Sequence, residues 1–172
     1  MIQNKNIVVI AHNIRSALNV GSIFRICDAV GVNKLYLTGY TPYPKIEKDK
    51  RLNFEIKKTE KKIKKSGLEG FSNIPFEYFE NILLLIKTLK RKNYKIVALE
   101  QESTSQSVYK FNLQKNTAII IGNEVTGIEK QVLNLCNATV EIPMYGNGKS
   151  LNVAVSLAVC LYILNGKTLT NK

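Results

Sequence analysis

The stretch Ile120-Ile121-Gly122-Asn123-Glu124 indicates the fold class, because an apolar β-branched run ends there in glycine and polar residues. The pattern recurs downstream, where Ile142-Pro143-Met144 ends another apolar run and Ser150-Leu151-Asn152-Val153 opens an apolar helix. The carboxyl ends of parallel strands meet at one edge of a sheet, and ligands bind at that edge in open α/β proteins. The three loops therefore predict one shared crevice.

Short apolar runs alternate with helical patterns along the whole chain. This alternation is typical of a parallel sheet covered by helices on both faces. Strands are predicted at residues 7–10, 34–38, 95–99, 117–121 and 139–142. Helices are predicted at residues 20–30, 78–92, 128–136 and 151–164, the first of them closed by Gly31. We expect a single α/β domain over residues 1–172, with a mostly parallel open sheet.

Cysteine, histidine and apolar patterning exclude several classes of protein. Cys27, Cys136 and Cys160 are scattered and lack C-x-x-C spacing, so we expect reduced thiols in a cytoplasmic protein. His12 is the only histidine, which argues against a metal site built on paired histidines. The longest apolar stretch, residues 151–164, is too short for a bilayer, which needs roughly 20 residues. The residues after Met1 do not resemble a signal peptide.

The charge balance predicts a polyanionic partner. Twenty-five Lys and Arg against 13 Asp and Glu give a net charge of +12. Residues 45–65 contain ten basic and four acidic residues, and their secondary structure stays open because they lack a clear pattern. A solvated surface is one interpretation of such a run, but a basic excess on a small domain is also typical of nucleic-acid binding. The predicted RNA-binding residues are Arg15, Lys45, Lys48, Lys50, Arg51, Lys57 and Lys58.

A fourth polar cluster, Asn19-Val20-Gly21 with Arg25, follows the first predicted strand. On a helical wheel Arg25 lies on the polar side together with Asp28, so an exposed ion pair at i+3 is the alternative to a functional arginine. If Asn19 and Arg25 were both helical, they would be roughly 9 Å apart along the axis. The two residues then serve one substrate only if Asn19 lies in the loop before the helix.

Each downstream loop also has a structural interpretation. Glu124 favours a helix N-terminus, and Ser150 is the predicted N-cap of the last helix. Asn152 would then sit in an apolar helix start without an obvious partner, and buried amides need partners. We therefore regard Asn152 as a candidate ligand residue. No phosphate-binding loop or G-x-G-x-x-G motif follows the first strand, which argues against kinases and common dinucleotide enzymes.

Together the clusters resemble the SpoU/TrmH branch of the SPOUT RNA methyltransferases. Residues 13–25 (Asn-Ile-Arg-Ser-Ala-Leu-Asn-Val-Gly-Ser-Ile-Phe-Arg) resemble its motif 1. Residues 120–124, with Gly127-Ile128, resemble motif 2, and residues 142–153 resemble motif 3. The similarity extends over nearly the whole chain.

The resemblance implies transfer of a methyl group from S-adenosyl-L-methionine to a ribose 2′-hydroxyl of structured RNA. It also implies a homodimer through the first and last helices and a C-terminal trefoil knot, which general topology rules disfavour. Carried over by position, the catalytic residues would be Asn19, Arg25, Glu124, Ser150 and Asn152. The cofactor would lie against Leu99, Glu100, Gly122, Ile142, Met144 and Leu151. No metal is implied.

The substrate and the role of Arg25 stay open at this stage. A guanosine in tRNA is the favoured target, with rRNA as the alternative. A catalytically silent RNA-binding or assembly factor on the same fold is a further possibility, and a methyltransferase of small molecules or proteins fits the charge least. Because an arginine guanidinium keeps its proton in proteins, Arg25 is expected to grip phosphate rather than act as the base, although the resemblance allows both.

Overall fold

The computed structural model describes residues 5–170, with side chains up to residue 166. Its strands form one seven-stranded sheet in which every neighbouring pair is parallel. The strands are β1 (Asn6–His12), β2 (Lys34–Thr38), β3 (Phe76–Phe79), β4 (Lys95–Leu99), β5 (Gln106–Ser107), β6 (Asn116–Ile121) and β7 (Ala138–Glu141). Their order across the sheet is β3-β2-β1-β6-β4-β7-β5. The predicted α/β class and parallel sheet are confirmed.

Helices cover both faces of this sheet. They are α1 (Ala17–Val30), α2 (Asn53–Gly67), α3 (Gly70–Asn73), α4 (Ile82–Arg91), α5 (Lys130–Leu133) and α6 (Val153–Thr170). Successive side chains of β1 point to opposite faces, so Ile7 and Val9 join one apolar core while Val8 and Ile10 join the other. Residues of α1, α2 and α6 pack into the first core, and residues of α4 and α5 pack into the second.

The predicted helix over residues 78–92 begins too early. Residues 76–79 form β3, which pairs with β2 in the register Leu37↔Tyr78. The helix starts only at Ile82, where Asn81 is the N-cap and accepts a hydrogen bond from the backbone N–H of Leu84 at 3.1 Å. Pairing with a neighbouring strand thus overrides the helical periodicity at its first residues.

The basic segment contains the largest element that sequence patterning left open. Residues 53–67 fold into α2, whose buried residues Ile56 and Ile63 lie seven positions apart on one helical face. Three further elements differ from the prediction. The helix predicted at residues 128–136 is only the four-residue α5, and β5 and α3 were not predicted. The trefoil knot stays a prediction.

Candidate functional site

Four neighbouring strands, β1, β6, β4 and β7, end at the same edge of the sheet. The chain segments that follow them meet there and form the candidate site. These segments are residues 13–16 after β1, residues 122–128 after β6, Glu100 after β4 and residues 142–152 after β7. The predicted convergence of the polar loops is confirmed.

The carboxylate of Glu124 joins the loop after β6 to the start of α1. Its Oε2 accepts a hydrogen bond from the backbone N–H of Arg15 at 2.9 Å. Its Oε1 accepts from the backbone N–H of Ser16 at 3.3 Å and from Nδ2 of Asn19 at 2.7 Å. Ser16 is the N-cap of α1, so the carboxylate also faces the positive end of that helix.

Asn19 extends this cluster to the start of α6. Its Oδ1 accepts a hydrogen bond from Nδ2 of Asn152 at 3.1 Å, while Oδ1 of Asn152 accepts from the backbone N–H of Ala154 at 2.9 Å. Asn152 is therefore the residue that caps α6, and the prediction of Ser150 as the N-cap was wrong. Asn152 is also exposed rather than buried, because the helix begins one residue after it.

Electrostatics keep the Glu124 carboxylate ionised. Burial alone raises the pKa of Glu124, but hydrogen bonds from the backbone of Arg15, the amide of Asn19 and the backbone of Ser16 outweigh that effect. The net result is a pKa of Glu124 below its ordinary value. At neutral pH the side chain is an acceptor that orients the amide of Asn19.

A cavity of about 200 Å³ opens beside this cluster, between the ends of β4, β6 and β7. All six residues predicted for the cofactor line it: Leu99, Glu100, Gly122, Ile142, Met144 and Leu151. Glu124 and Ser150 line it as well, which places the cavity directly against the predicted substrate side. Gln101, Glu141 and Ser156 also line it and were not among the predicted residues.

Glu100 fixes one wall of the cavity by holding two loops. Its Oε2 accepts from the backbone N–H of Ile128 at 3.0 Å, and its Oε1 accepts from the backbone N–H of Gln101 at 2.9 Å. Gly127 has a φ of 68° and approaches this carboxylate so closely that a Cβ there would overlap it. The cavity wall is therefore built before any ligand binds.

Asn123 and His12 support the site from behind, and sequence reasoning gave neither a role. Oδ1 of the buried Asn123 accepts from the backbone N–H groups of Val125 and Thr126, while its Nδ2 donates to Oη of Tyr40 at 2.6 Å. These bonds shape the turn that presents Glu124. The role of Asn123 has no sequence signal, because its partners lie more than 80 residues away or within the turn itself.

The buried imidazole of His12 lies between β2 and the start of α5. Nδ1 of His12 lies 2.8 Å from Oγ1 of Thr38, and Nε2 lies 3.0 Å from Oε2 of Glu129. Burial lowers the pKa of His12, and the nearby carboxylate of Glu129 raises it by less, so the net pKa is below the ordinary value. The single histidine is thus a supporting residue of the loop between β6 and α5.

Arg25 lies outside the cluster formed by the other predicted catalytic residues. Both Asn19 and Arg25 are in α1, six positions apart, so the rise between them is about 9 Å and they occupy different faces. The side chain of Arg25 is exposed and does not line the cavity. The alternative ion pair with Asp28 is absent among residues 5–170, since Asp28 accepts instead from Nδ2 of Asn73 at 3.2 Å. The condition that Asn19 precede the helix is not met.

Arg51, one of the predicted RNA-binding residues, is held by neighbouring groups of the protein. It forms an ion pair with Asp49 at 2.6 Å and donates to the backbone oxygens of Tyr43 and Pro44. Its guanidinium lies 3.5 Å from the ring centroid of Tyr43, which stacks on Tyr78. The other predicted RNA-binding residues are exposed, namely Arg15, Lys45, Lys48, Lys50, Lys57 and Lys58.

Among the described residues, no group of three or more His, Cys, Asp or Glu side chains could hold a metal ion. The three cysteines are free thiols, and burial raises the pKa of Cys136 to about 11 and that of Cys160 to about 12. No helix in residues 5–170 combines the length and apolar character needed to cross a membrane.

Comparison with known sequences agrees with this geometry. The sequence profile of the SpoU rRNA Methylase family matches residues 6–162. This chain is a member of that family. The SpoU member from Aquifex aeolicus, a tRNA (guanosine(18)-2′-O)-methyltransferase, is 30% identical over 161 residues, which are 93% of this chain and 69% of that enzyme. A 23S rRNA (guanosine-2′-O-)-methyltransferase from Xanthomonas campestris is 26% identical over 93% of this chain and 58% of its own length.

Solved SpoU structures share the fold. The TrmH/SpoU tRNA modifying enzyme of A. aeolicus superposes with a TM-score of 0.79 at 24% identity, over 99% of this chain and 80% of that one. The SpoU methyltransferase AviRb of Streptomyces viridochromogenes, solved in complex with the cofactor AdoMet, superposes with a TM-score of 0.74 at 22% identity. That match covers 98% of this chain and 62% of AviRb.

Proposed function

We propose that this chain transfers a methyl group from S-adenosyl-L-methionine to a ribose 2′-hydroxyl of structured RNA. The observation that carries the proposal is that the cavity and the hydrogen-bonded polar cluster adjoin each other. A cavity suited to the cofactor lies directly beside the hydrogen-bonded cluster of Glu124, Asn19 and Asn152. The named relatives act on guanosine in tRNA or in 23S rRNA, and we favour tRNA because of the Aquifex enzyme.

The residues that line the cavity fit the cofactor chemically. Leu99, Ile142, Met144 and Leu151 offer apolar contact for the adenosine, and Gly122 adds no side chain to the wall. The carboxylates of Glu100, Glu124 and Glu141 among the lining residues match the positive charge of a sulfonium. Bound there, the cofactor supplies an electrophilic methyl group.

The polar cluster positions the acceptor. The ionised Glu124 holds the amide of Asn19, and Asn19 in turn holds Asn152, so the three side chains form one hydrogen-bonded chain that meets the cavity at Glu124. Ser150 adds a hydroxyl at the same place. A ribose hydroxyl held in line with the methyl group gains from this preorganisation, and orientation of this kind can supply about 7–11 kcal/mol of a barrier.

The proposal is tested with purified protein, radiolabelled S-adenosyl-L-methionine, and total tRNA or rRNA as separate acceptors. We expect label in tRNA, at a ribose that becomes resistant to alkaline cleavage. Label in rRNA alone would indicate that this chain acts on rRNA, as the Xanthomonas relative does. Cofactor binding without transfer to either RNA would contradict an enzymatic function and leave an RNA-binding factor.

We further propose that the chain forms a homodimer and that Arg25 lies at its interface. Leu18 and Arg25 are seven positions apart and share the exposed face of α1, while Val155 and Tyr162 do the same on α6. Exposed apolar residues on these two helices support a homodimer through them. Such a dimer brings the α1 of a second copy, with its Arg25, to the interface.

The variant Arg25→Ala tests the assigned role. We expect it to lose transfer while binding of the cofactor, measured by calorimetry, stays unchanged. Near-normal turnover would contradict a catalytic role for Arg25.

The free thiols of Cys27 and Cys160 fit a reducing compartment, so we place the activity in the cytoplasm with its RNA substrate.

A further inference from the structure

A second concavity of about 470 Å³ lies between the first turn of α1, the loop before α2, and α2 itself. Four cationic residues line it: Arg15, Lys58, Lys62 and Lys65. The three lysines are at i, i+4 and i+7 of α2, which places them on one face of that helix. Of the residues that the structure describes, no acidic one lines this basic groove.

The cations of the basic groove are available for a ligand. Within the part of the chain that the structure describes, none of the four forms an ion pair with a carboxylate. Both acidic residues of α2 have partners outside the groove: Glu55 accepts a hydrogen bond from the backbone N–H of Leu52 at 3.3 Å, and the other is Glu60. It lies 3.8 Å from Lys64 on a different face of the helix and accepts from the backbone N–H of Lys45 at 3.1 Å.

The groove is rigid because α1 and α2 pack closely beside it. A Cβ added at Gly21 would lie 2.9 Å from the backbone N of Gly67, so α2 can approach α1 only because this position is a glycine. The hydroxyl of Ser66 donates to the backbone oxygen of Leu18 at 2.7 Å, and Ile63 is fully buried. The lysines therefore project from a helix that is fixed relative to the site.

Two residues belong both to the groove and to the candidate active site. Arg15 and Ser16 line the groove, and their backbone N–H groups hold the carboxylate of Glu124. A polyanion in the groove thus reaches the edge of the catalytic cluster. The groove also lies at the positive end of α1, which favours an anion there.

We propose that the basic groove binds the phosphodiester backbone of the substrate RNA next to the target ribose. This inference rests on the proposed function and specifies where its substrate docks. The groove replaces part of the RNA-binding surface predicted from the basic segment. Arg51 is held by Asp49, and three predicted lysines do not line the groove, namely Lys45, Lys48 and Lys50. Lys62 and Lys65, which the sequence did not single out, take their place.

The test compares two charge-matched variants for binding to unfractionated tRNA. Lys62→Gln with Lys65→Gln removes two cations of the groove. Lys87→Gln with Lys90→Gln removes two exposed lysines at the same i, i+3 spacing from α4, on the opposite face of the sheet. Glutamine is a good helix former, so both proteins should fold.

We expect the groove variant to bind tRNA about tenfold more weakly at 0.15 M salt, with a salt slope smaller by about 1.5, as the loss of two phosphate contacts requires. The α4 variant should keep the slope of the unmodified chain. Lys62→Arg with Lys65→Arg should restore most of the affinity. Unchanged binding by the groove variant, or an equal loss in the α4 variant, would overturn the proposal.

Two further readouts separate this inference from the proposed function. Vesicles containing anionic phospholipid are the competing polyanion, and preferential binding to them would overturn the assignment to RNA. Methyl transfer to tRNA is measured in parallel, and we expect the groove variant to show a raised KM for tRNA. Groove-dependent binding with no transfer by the unmodified chain would support the groove and contradict the enzymatic proposal.

Discussion

The carboxylate of Glu124 connects three segments that are far apart in the sequence. It accepts hydrogen bonds from Arg15, Ser16 and Asn19, and through Asn19 it reaches Asn152. A charged acceptor bound by several N–H groups is worth more than a neutral one, because hydrogen bonds to ionised groups contribute about 1.5–3 kcal/mol each. Glu124 therefore organises the site and stabilises the fold through the same atoms.

The variant Glu124→Gln should lower the free energy of unfolding. The amide offers one acceptor oxygen and turns an NH₂ group toward a backbone donor, so we expect a loss of about 1.5–3 kcal/mol in urea unfolding at pH 7. Glu102→Gln, an exposed carboxylate on a turn, is the control and should change little. A Glu124→Gln protein as stable as the control would contradict this role.

The same comparison has a pH dependence with a fixed sign. The pKa of Glu124 is lower in the folded chain than its ordinary value of 4.5, so the folded state binds this proton less readily than the unfolded state. The stabilisation from Glu124 is present above pH 4.5 and is lost as the pH falls through the folded pKa. The difference in stability between the unmodified chain and Glu124→Gln should shrink over that range.

The protonation of His12 can be followed separately, because the chain contains no other histidine. Burial lowers its pKa below 6.5 despite Glu129, so stability should fall as the pH drops below 6.5 toward the folded pKa. Proton NMR of the imidazole resonances should report a pKa below 6.5, and Glu129→Gln should lower it further. A pKa at or above 6.5 would mean that the carboxylate outweighs burial.

The crossing of helices α1 and α2 depends on Gly21. Replacing glycine by alanine inside a helix normally stabilises a protein by about 0.5–1 kcal/mol. At Gly21 the added methyl group would meet the backbone of Gly67 and the carbonyl of Ile63, which cannot give way without moving α2. Overpacking of this kind costs about 1–3 kcal/mol.

Gly21→Ala should therefore destabilise the chain, in contrast to the usual sign. Gly166→Ala is the matched control, because Gly166 is also in a helix and no atom that the structure describes lies within 4 Å of an added Cβ. We expect a decrease of about 1–3 kcal/mol for the first variant and a small increase for the second, both measured by urea denaturation. Stabilisation by Gly21→Ala would show that the two helices are not tightly packed.

Element boundaries show how far local sequence patterns carry. Strands β1, β2, β4 and β6 read as apolar runs because both of their faces are buried, and they lie where predicted. Residues 78–79 were misassigned because Phe79 fits a helical stripe as well as a strand. Only the neighbouring β2 decides between them. Helix α2 carries so few apolar residues that its long cationic surface hides the pattern.

For the whole molecule, the site was predictable to the extent that strand ends define it. Parallel strands bring their carboxyl ends together, so the loops at Gly122 and Ile142 could be placed beside each other from the sequence. The hydrogen-bond and ion-pair partners of individual side chains could not be predicted from the sequence, because they depend on three-dimensional contacts. Arg51 is neutralised by Asp49, and Arg25 is turned away from Asn19 by the helix that both share.

The whole chain is expected to associate with a second copy through α1 and α6. Val155 is 47% exposed on α6, and Leu84 is 54% exposed on α4, on the opposite face of the sheet. Each is the third residue after an asparagine N-cap, where glutamate suits a helix, so Val155→Glu and Leu84→Glu should both fold. Light scattering should give about twice the chain mass of 19.4 kDa for the unmodified chain and for Leu84→Glu, but a single chain mass for Val155→Glu. If the second copy supplies Arg25, the monomeric variant should also lose methyl transfer while retaining the cofactor. A Val155→Glu protein that remains dimeric, or an unmodified chain that is monomeric at micromolar concentration, would rule out this interface.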